Sequence, residues 1–296
     1  MDGEFSKRGL YFGMSGFNTG ESVLSFGEGI ELRPTYAHIV TEHILAYEEP
    51  QRPGGFYPKT WHATSHNRGV DILAELFIPT EYNHEKFNSE EIGEIIASLF
   101  KLYINPQVDL RVKSSKPISS FKQVQSKGGE LAAQLLGGIP KAFDLALKSD
   151  EDENTRIEWV KDNWVKTTNL LSSSNEFKLA FDTINNVQYI HNGAMALVSV
   201  WGALEAIFSP HKAELVFRVS SNLSAYLEPR GPKRLELQKE IVKLYGLRSA
   251  AAHGSPKHQV GDVVRTLSLL RRAIIKMIHN EEVPDRELLE NFLFVY

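Results

Sequence analysis

Four successive runs between Asn186 and Asn280 carry apolar residues at three- and four-residue intervals, and this repetition constrains the fold more than any other feature of the chain. Ile190, Ala194, Leu197, Val198, Trp201, Leu204 and Phe208 fall on one face of a first helix. Leu215, Val216, Val219, Leu223, Tyr226 and Leu227 form a second stripe, stopped by Pro229 and Gly231. Pro232 suits the first turn of a third helix, whose stripe is Leu237, Ile241, Leu244 and Tyr245. After Gly261-Asp262 comes a fourth, with Val263, Val264, Leu267, Leu270, Ile274 and Ile278 facing inward. Four such helices joined by short connections can hide their stripes only against one another, so an all-α bundle is expected. A short segment around 288–294 is expected to pack on it.

The first 125 residues have a different texture. Glycines at 9, 13, 16, 20, 27 and 29 separate short apolar runs such as Leu10-Tyr-Phe12 and Val23-Leu-Ser-Phe26. Ile30-Glu-Leu32, Ile39-Val40, Asp71 to Pro79 and Val108 to Val112 have strand composition, and 51–55 reads as a turn. Ser89-Glu-Glu-Ile92 opens a helix, with Ser89 as the expected cap and Ile92, Ile95, Ile96, Leu99, Phe100 and Tyr103 at helical spacing. The sequence therefore predicts an α+β protein: a mixed α/β domain with a small sheet over 1–125, a helical connector over 126–175, and a helical bundle over 176–296. Within the connector, Glu130–Leu136 and Ala142–Leu147 read as helical fragments, and the acidic run 150–153 as a surface link.

The chain has no cysteine, which excludes disulfide staples, cysteine-ligated metal sites and a thiol nucleophile. Met1 to Phe5 lacks the basic start and apolar core of a secretory signal, and no run of about 18 apolar residues is present. A cytoplasmic protein with no membrane partner is expected. Net charge is −4, yet residues 210–276 hold 13 Lys/Arg against 5 Asp/Glu, while the rest hold 20 against 32. A polyanion is drawn to one module and repelled elsewhere, although charge runs of this kind also arise as solvated helix faces.

The third helix ends in Leu244-Tyr-Gly-Leu-Arg-Ser-Ala-Ala-Ala-His-Gly254. Ile241, Leu244, Tyr245 and Arg248 follow the core-facing period, so Arg248 needs an anion there; an unpaired buried charge is very costly. Glu205, four residues after Trp201, is a candidate partner, and such a pair could do no more than fix helix register. His253 lies roughly 140° from Arg248 around a straight helix at about 100° per residue. The two converge on one atom only if Gly254-Ser255-Pro256 turns His253 off the helical path, or if two subunits bring their copies together. The plainer alternative for His253 is a cation well placed at a helix C-terminus. Lys257 and His258 follow closely and are candidate RNA-binding residues.

These segments resemble the HEPN superfamily, most closely its Apea-like branch, over residues of about 176–280. The resemblance rests on Phe177-Lys-Leu-Ala-Phe-Asp182, Trp201-Gly-Ala-Leu-Glu-Ala-Ile-Phe208, Phe217-Arg-Val219 and Tyr245 to Gly254, the last fitting an arginine, four to six spacers and a histidine. It implies a helical bundle that forms a homodimer and, in active members, a metal-independent endoribonuclease without cofactor. His253 would then be the acid/base at the ribose 2′-hydroxyl or the leaving 5′-oxygen, and Arg248 the group that stabilises the scissile phosphate. Glu205, Tyr245 and Ser249 would support them; active members often have Asn, Asp or His where this chain has Ser249. The resemblance also implies a defence or toxin role, and an N-terminal domain that recognises a regulatory protein or ligand. The alternative is a non-catalytic HEPN module that binds RNA or nucleotide.

Other constellations are weaker. His62 and His66 are spaced i, i+4 with His38 and His43 nearby, but lack a carboxylate and a helix, so no metal site is expected. Gly13 to Gly20 lacks the lysine of a phosphate loop and reads as turns. Phe56, Tyr57 and Trp61 are expected as buried aromatics more than as base-stacking groups.

Overall fold

The computed structural model describes residues 8–40, 43–47, 60–65, 69–82, 84–121, 133–136, 141–143, 145, 147, 151–209 and 214–295. The fold is α+β. Two compact units emerge, one from residues 1–97 and 107–138, the other from 98–106 and 139–296.

The first unit is built on strands β1 (Gly9–Ser15), β2 (Leu24–Ser25), β3 (Glu31–Val40), β6 (Gly69–Pro79), β7 (Asp109–Ser114) and β8 (Ala133–Leu135), in the order β2-β3-β6-β1-β7-β8. Every neighbouring pair is antiparallel. β4 (His43–Tyr47) and β5 (Thr60–Ser65) form a separate hairpin. β1 lies between β6 and β7 and is buried on both faces, which explains why it is apolar without alternation. Phe12 points toward helix α1 (Ser89–Tyr103), where Gly93 lets its ring approach. Gly13 points the other way; a Cβ there would lie 2.5 Å from Val112 Cγ1 and 2.7 Å from Ile118 Cδ1, so only glycine fits.

Three local expectations are corrected. The cap of α1 is Asn88, not Ser89: Asn88 Oδ1 accepts from the Glu90 and Glu91 amides, while Glu91 Oε2 accepts from the Asn88 amide. That is a capping box one residue earlier than the acids suggested. The strand expectation holds for 31–32 and 39–40, which belong to the single strand β3 and continue past Pro34 with a register shift between Pro34 and Ala37; Ile30 lies just before it. Pro34 still lies opposite Ala74, and the irregularity that follows it is the kind of place where a strand accommodates proline. Of the helix expected over 130–136, Ala133–Leu135 pairs with β7 instead and 130–132 lie outside the described residues, and of the one expected over 142–147 the described residues 142, 143, 145 and 147 are not helical. The turn expected at 51–55 lies outside the described residues.

The second unit contains α2 (Glu153–Ser173), α3 (Asn175–Asn186), α4 (Gly193–Phe208), α5 (Leu215–Leu227), α6 (Pro232–Ala252), α7 (Val260–Asn280) and α8 (Arg286–Phe294). The acidic run supplies Asp152, which caps α2 by accepting from the Thr155 amide. Ser174 closes α2 and caps α3 at once, its Oγ accepting from the Phe177 amide. α4 is the centre: it packs on α3, α5, α6 and α7, and Leu197, Val200, Trp201, Leu204 and Phe208 are fully buried. The end of α1 also belongs here. Arg156 donates to the Tyr103 and Ile104 carbonyls and Arg271 to the Leu102 carbonyl, satisfying acceptors that a helix C-terminus leaves open. Among the described residues, no helix is long and apolar enough to cross a membrane.

Candidate functional site

α6 carries the site. Pro232 occupies its first turn, and Leu237, Ile241, Leu244 and Tyr245 are buried as the stripe requires. Tyr245 meets Trp201 of α4 edge to face, with ring centroids 5.0 Å apart at 75°. This contact fixes the phenol so that its hydroxyl donates to Glu205 Oε1 at 2.9 Å. Arg248, one turn later, leans back toward the N-terminus of its helix, as helical side chains do. Its Nη2 lies 3.1 Å from Glu205 Oε1 and 3.3 Å from Oε2, and its Cζ is 5.5 Å from the Tyr245 ring centre. The core-facing period of Arg248 thus finds the anion it needs. The pair is not sealed in: the side chains of Arg248 and Glu205 are 24% and 19% exposed.

Two details define the chemistry of this cluster. Burial, then the hydrogen bond to the Glu205 carboxylate, pushes the Tyr245 hydroxyl up to about 12, so it remains a donor throughout the neutral range. Arg248 Nε is buried and has no hydrogen-bond partner among the described residues. One edge of the guanidinium is held by Glu205 while another donor stays unspent.

His253 is held differently. α6 is unbroken to Ala252, and His253 is its C-cap with φ −93° and ψ 16°. The Gly254 amide bonds to the Ala251 carbonyl and the Ser255 amide to the Ala250 carbonyl, with Gly254 at φ +75°. These two bonds are a Schellman ending, which demands a left-handed residue and finds glycine there. His253 is exposed, and no described residue forms a hydrogen bond or ion pair with its imidazole. Five residues of unbroken helix separate Arg248 from His253, about 7.5 Å of axial rise and about 140° of rotation. Within one chain, then, Arg248, Glu205 and Tyr245 meet, whereas no hydrogen bond or ion pair joins His253 to them among the described residues.

The remaining expected residues are dispersed. Ser249 is half-buried, and Lys257 is exposed in the loop between α6 and α7. His258 is half-buried against the start of α4, close enough that a Cβ on Gly193 would lie 3.0 Å from its Nε2; its Nδ1 is buried with no hydrogen-bond partner among the described residues. That contact had no sequence signal, because Gly193 does not differ in pattern from any other helix-start glycine. In the first unit, Gly16 and Gly20 have φ of +77° and +65°, as turn residues do. His38 Nδ1 is 2.9 Å from Asp71 Oδ1. The side chains of His43, Phe56, Tyr57, Trp61, His62 and His66 lie outside the described residues. Compared with known proteins, the chain matches no family model, no curated protein and no solved structure.

Proposed function

We propose that this protein is a metal-independent endoribonuclease of HEPN type, active as a homodimer through its helical half. The observation that carries the reading is the Arg248 guanidinium: anchored by Glu205, backed by the Tyr245 ring, partly exposed, and with Nε unpaired among the described residues. A planar donor fork preorganised in this way suits a phosphodiester whose charge grows during reaction. His253, at an exposed helix end one and a half turns on, supplies proton transfer. Because its imidazole and the guanidinium of the same chain are separated along α6, the reading requires two copies of the motif to face each other. One neutral His253 takes the proton of the ribose 2′-hydroxyl as that oxygen attacks phosphorus. His253 of the partner subunit, protonated, gives its proton to the departing 5′-oxygen. The products are a 2′,3′-cyclic phosphate and a 5′-hydroxyl, with no net change in protons. Lys257 and the basic segment 210–276 hold neighbouring phosphates.

The test is cleavage of single-stranded RNA in EDTA by the full chain and by Arg248→Ala and His253→Ala. Acid–base groups typically contribute about 10²–10⁴-fold, so each variant should fall at least 100-fold while its helicity persists. Cleavage that survives both substitutions overturns the proposal. The separation of Arg248 and His253 within one chain favours a second reading, in which the module binds RNA or nucleotide without cutting it. RNA binding lost in Arg248→Ala, with no cleavage by the unmodified chain, selects that reading.

A further inference from the structure

The second unit contains a cavity of about 330 Å³ for which the chemistry above has no use. Its walls are mainly apolar, with Leu102 from the end of α1, Ile184 from α3 and Leu267 from α7. Small-molecule sites are typically clefts of roughly 300–1,000 Å³ that combine such walls with a few well-placed polar groups. Three groups of that kind line this one. Gln188 is only 3% exposed; its Nε2 donates to the Pro106 carbonyl at 3.3 Å, and its Oε1 is buried with no hydrogen-bond partner among the described residues. A buried acceptor left unsatisfied costs about 1–3 kcal/mol, and most buried polar atoms avoid that state. Arg271 lies with its Cζ 5.7 Å from the Tyr103 ring centre, and its one hydrogen bond among the described residues is to the Leu102 carbonyl at 2.6 Å. Burial disfavours its charge, which lowers its proton affinity. Lys101, with Nζ 3.5 Å from the Tyr189 hydroxyl, adds a second cation to the lining.

We propose that this cavity binds a small amphipathic carboxylic acid: its carboxylate toward Arg271 and Lys101, its apolar body along Leu102, Ile184 and Leu267, and an O–H or N–H donor on Gln188 Oε1. A planar carboxylate matches the guanidinium fork and neutralises a charge held out of water. A wholly apolar occupant leaves both Arg271 and the Gln188 oxygen desolvated. A polyphosphate brings more negative charge than one guanidinium and one ammonium can balance between apolar walls. The site is independent of the reading given to Arg248 and His253, and its test measures binding, not cleavage.

Isothermal titration calorimetry of the full chain uses three probes of one size: para-hydroxyphenylpropionate, phenylpropionate and para-hydroxyphenylpropanol. The hydroxy acid binds, the acid without the hydroxyl binds about tenfold more weakly, and the uncharged alcohol gives no heat of binding. Gln188→Leu brings the two acids to within about twofold of each other. Ser268 is an exposed member of the lining on α7, so Ser268→Trp fills the cavity without disturbing the core; it abolishes binding while thermal unfolding is unchanged. Failure of the hydroxy acid to bind at millimolar concentration, equal binding of all three probes, or binding that survives Ser268→Trp overturns the proposal.

Discussion

The geometry at Glu205 sets a number for the interaction that holds Arg248. One nitrogen, Nη2, reaches both carboxylate oxygens, at 3.1 and 3.3 Å, instead of two nitrogens meeting two oxygens. This falls short of the strongest arginine–carboxylate arrangement. Water also reaches both partners, which are 24% and 19% exposed. Exposed ion pairs contribute about 0.2–1 kcal/mol, whereas breaking a fully buried pair costs about 3–5 kcal/mol. An intermediate burial with imperfect geometry places the coupling at about 1.5 kcal/mol. Glu205→Gln alone should destabilise by about 2 kcal/mol, because the Tyr245 hydroxyl keeps an amide oxygen as acceptor but the guanidinium loses its counter-charge. The assay is urea unfolding at neutral pH of the unmodified chain, Glu205→Gln, Arg248→Met and the double variant. Methionine preserves most of the buried stem, so the cycle isolates the charge. A second set in about 0.5 M salt should retain more than half of the coupling, since partly buried pairs are screened less than exposed ones. A coupling under about 0.3 kcal/mol would refute the argument that Glu205 fixes the guanidinium.

Three further outcomes follow from the same structure. Gly254→Ala forces a side chain into φ +75° and should cost about 1 kcal/mol. Amide hydrogen exchange at Ser255 should quicken as its bond to the Ala250 carbonyl weakens; unchanged exchange speaks against the Schellman ending. Tyr245 has its hydroxyl raised from 10.0 to about 12, so it stabilises the fold fully below pH 10 and loses that contribution as pH rises through 12. The advantage of the unmodified chain over Tyr245→Phe in urea unfolding should therefore shrink across that window; a constant difference contradicts the assignment. Glu75 is buried in the sheet, and burial raises its carboxyl above the usual 4.5 despite the Ile118 amide and Arg33. Its contribution to stability is present at low pH and lost as pH rises through the elevated value, so Glu75→Gln should gain relative stability as pH rises above 4.5. The opposite trend in thermal unfolding would show that the amide bond and Arg33 outweigh burial.

The helical half was legible because a period of 3.6 residues reports a buried face without reference to its partner. The same logic exposed Arg248: a cation on a core-facing position demanded an anion, and Glu205 is there. The pattern also carried the angular mismatch between Arg248 and His253, which the unbroken helix preserves. Boundaries set by a single hydrogen bond were less readable. Asn88 and Ser89 are both good caps, and only the reach of Glu91 back to the Asn88 amide distinguishes them. Residues 133–135 look helical by composition, yet their amides are claimed by β7, which lies some 20 residues earlier. The cavity around Gln188 left no trace in the sequence. Its walls come from the end of α1, the turn after α3 and the middle of α7, and nothing local marks a glutamine whose carbonyl will be stranded.

The position of β1 dictates when the first unit can assemble during synthesis. Gly9 is opposite Pro79 and Ser15 is opposite Asp109, so the strand made first needs neighbours translated much later. At about 5–20 residues per second, Leu10 to Met14 waits at least about 5 s outside the ribosome before β7 exists to pair with it. Until β6 is made this apolar strand has two open edges, and until β7 follows it keeps one, which makes it a client for a chaperone that grips extended segments. The sheet then closes late, around the earliest of its own strands.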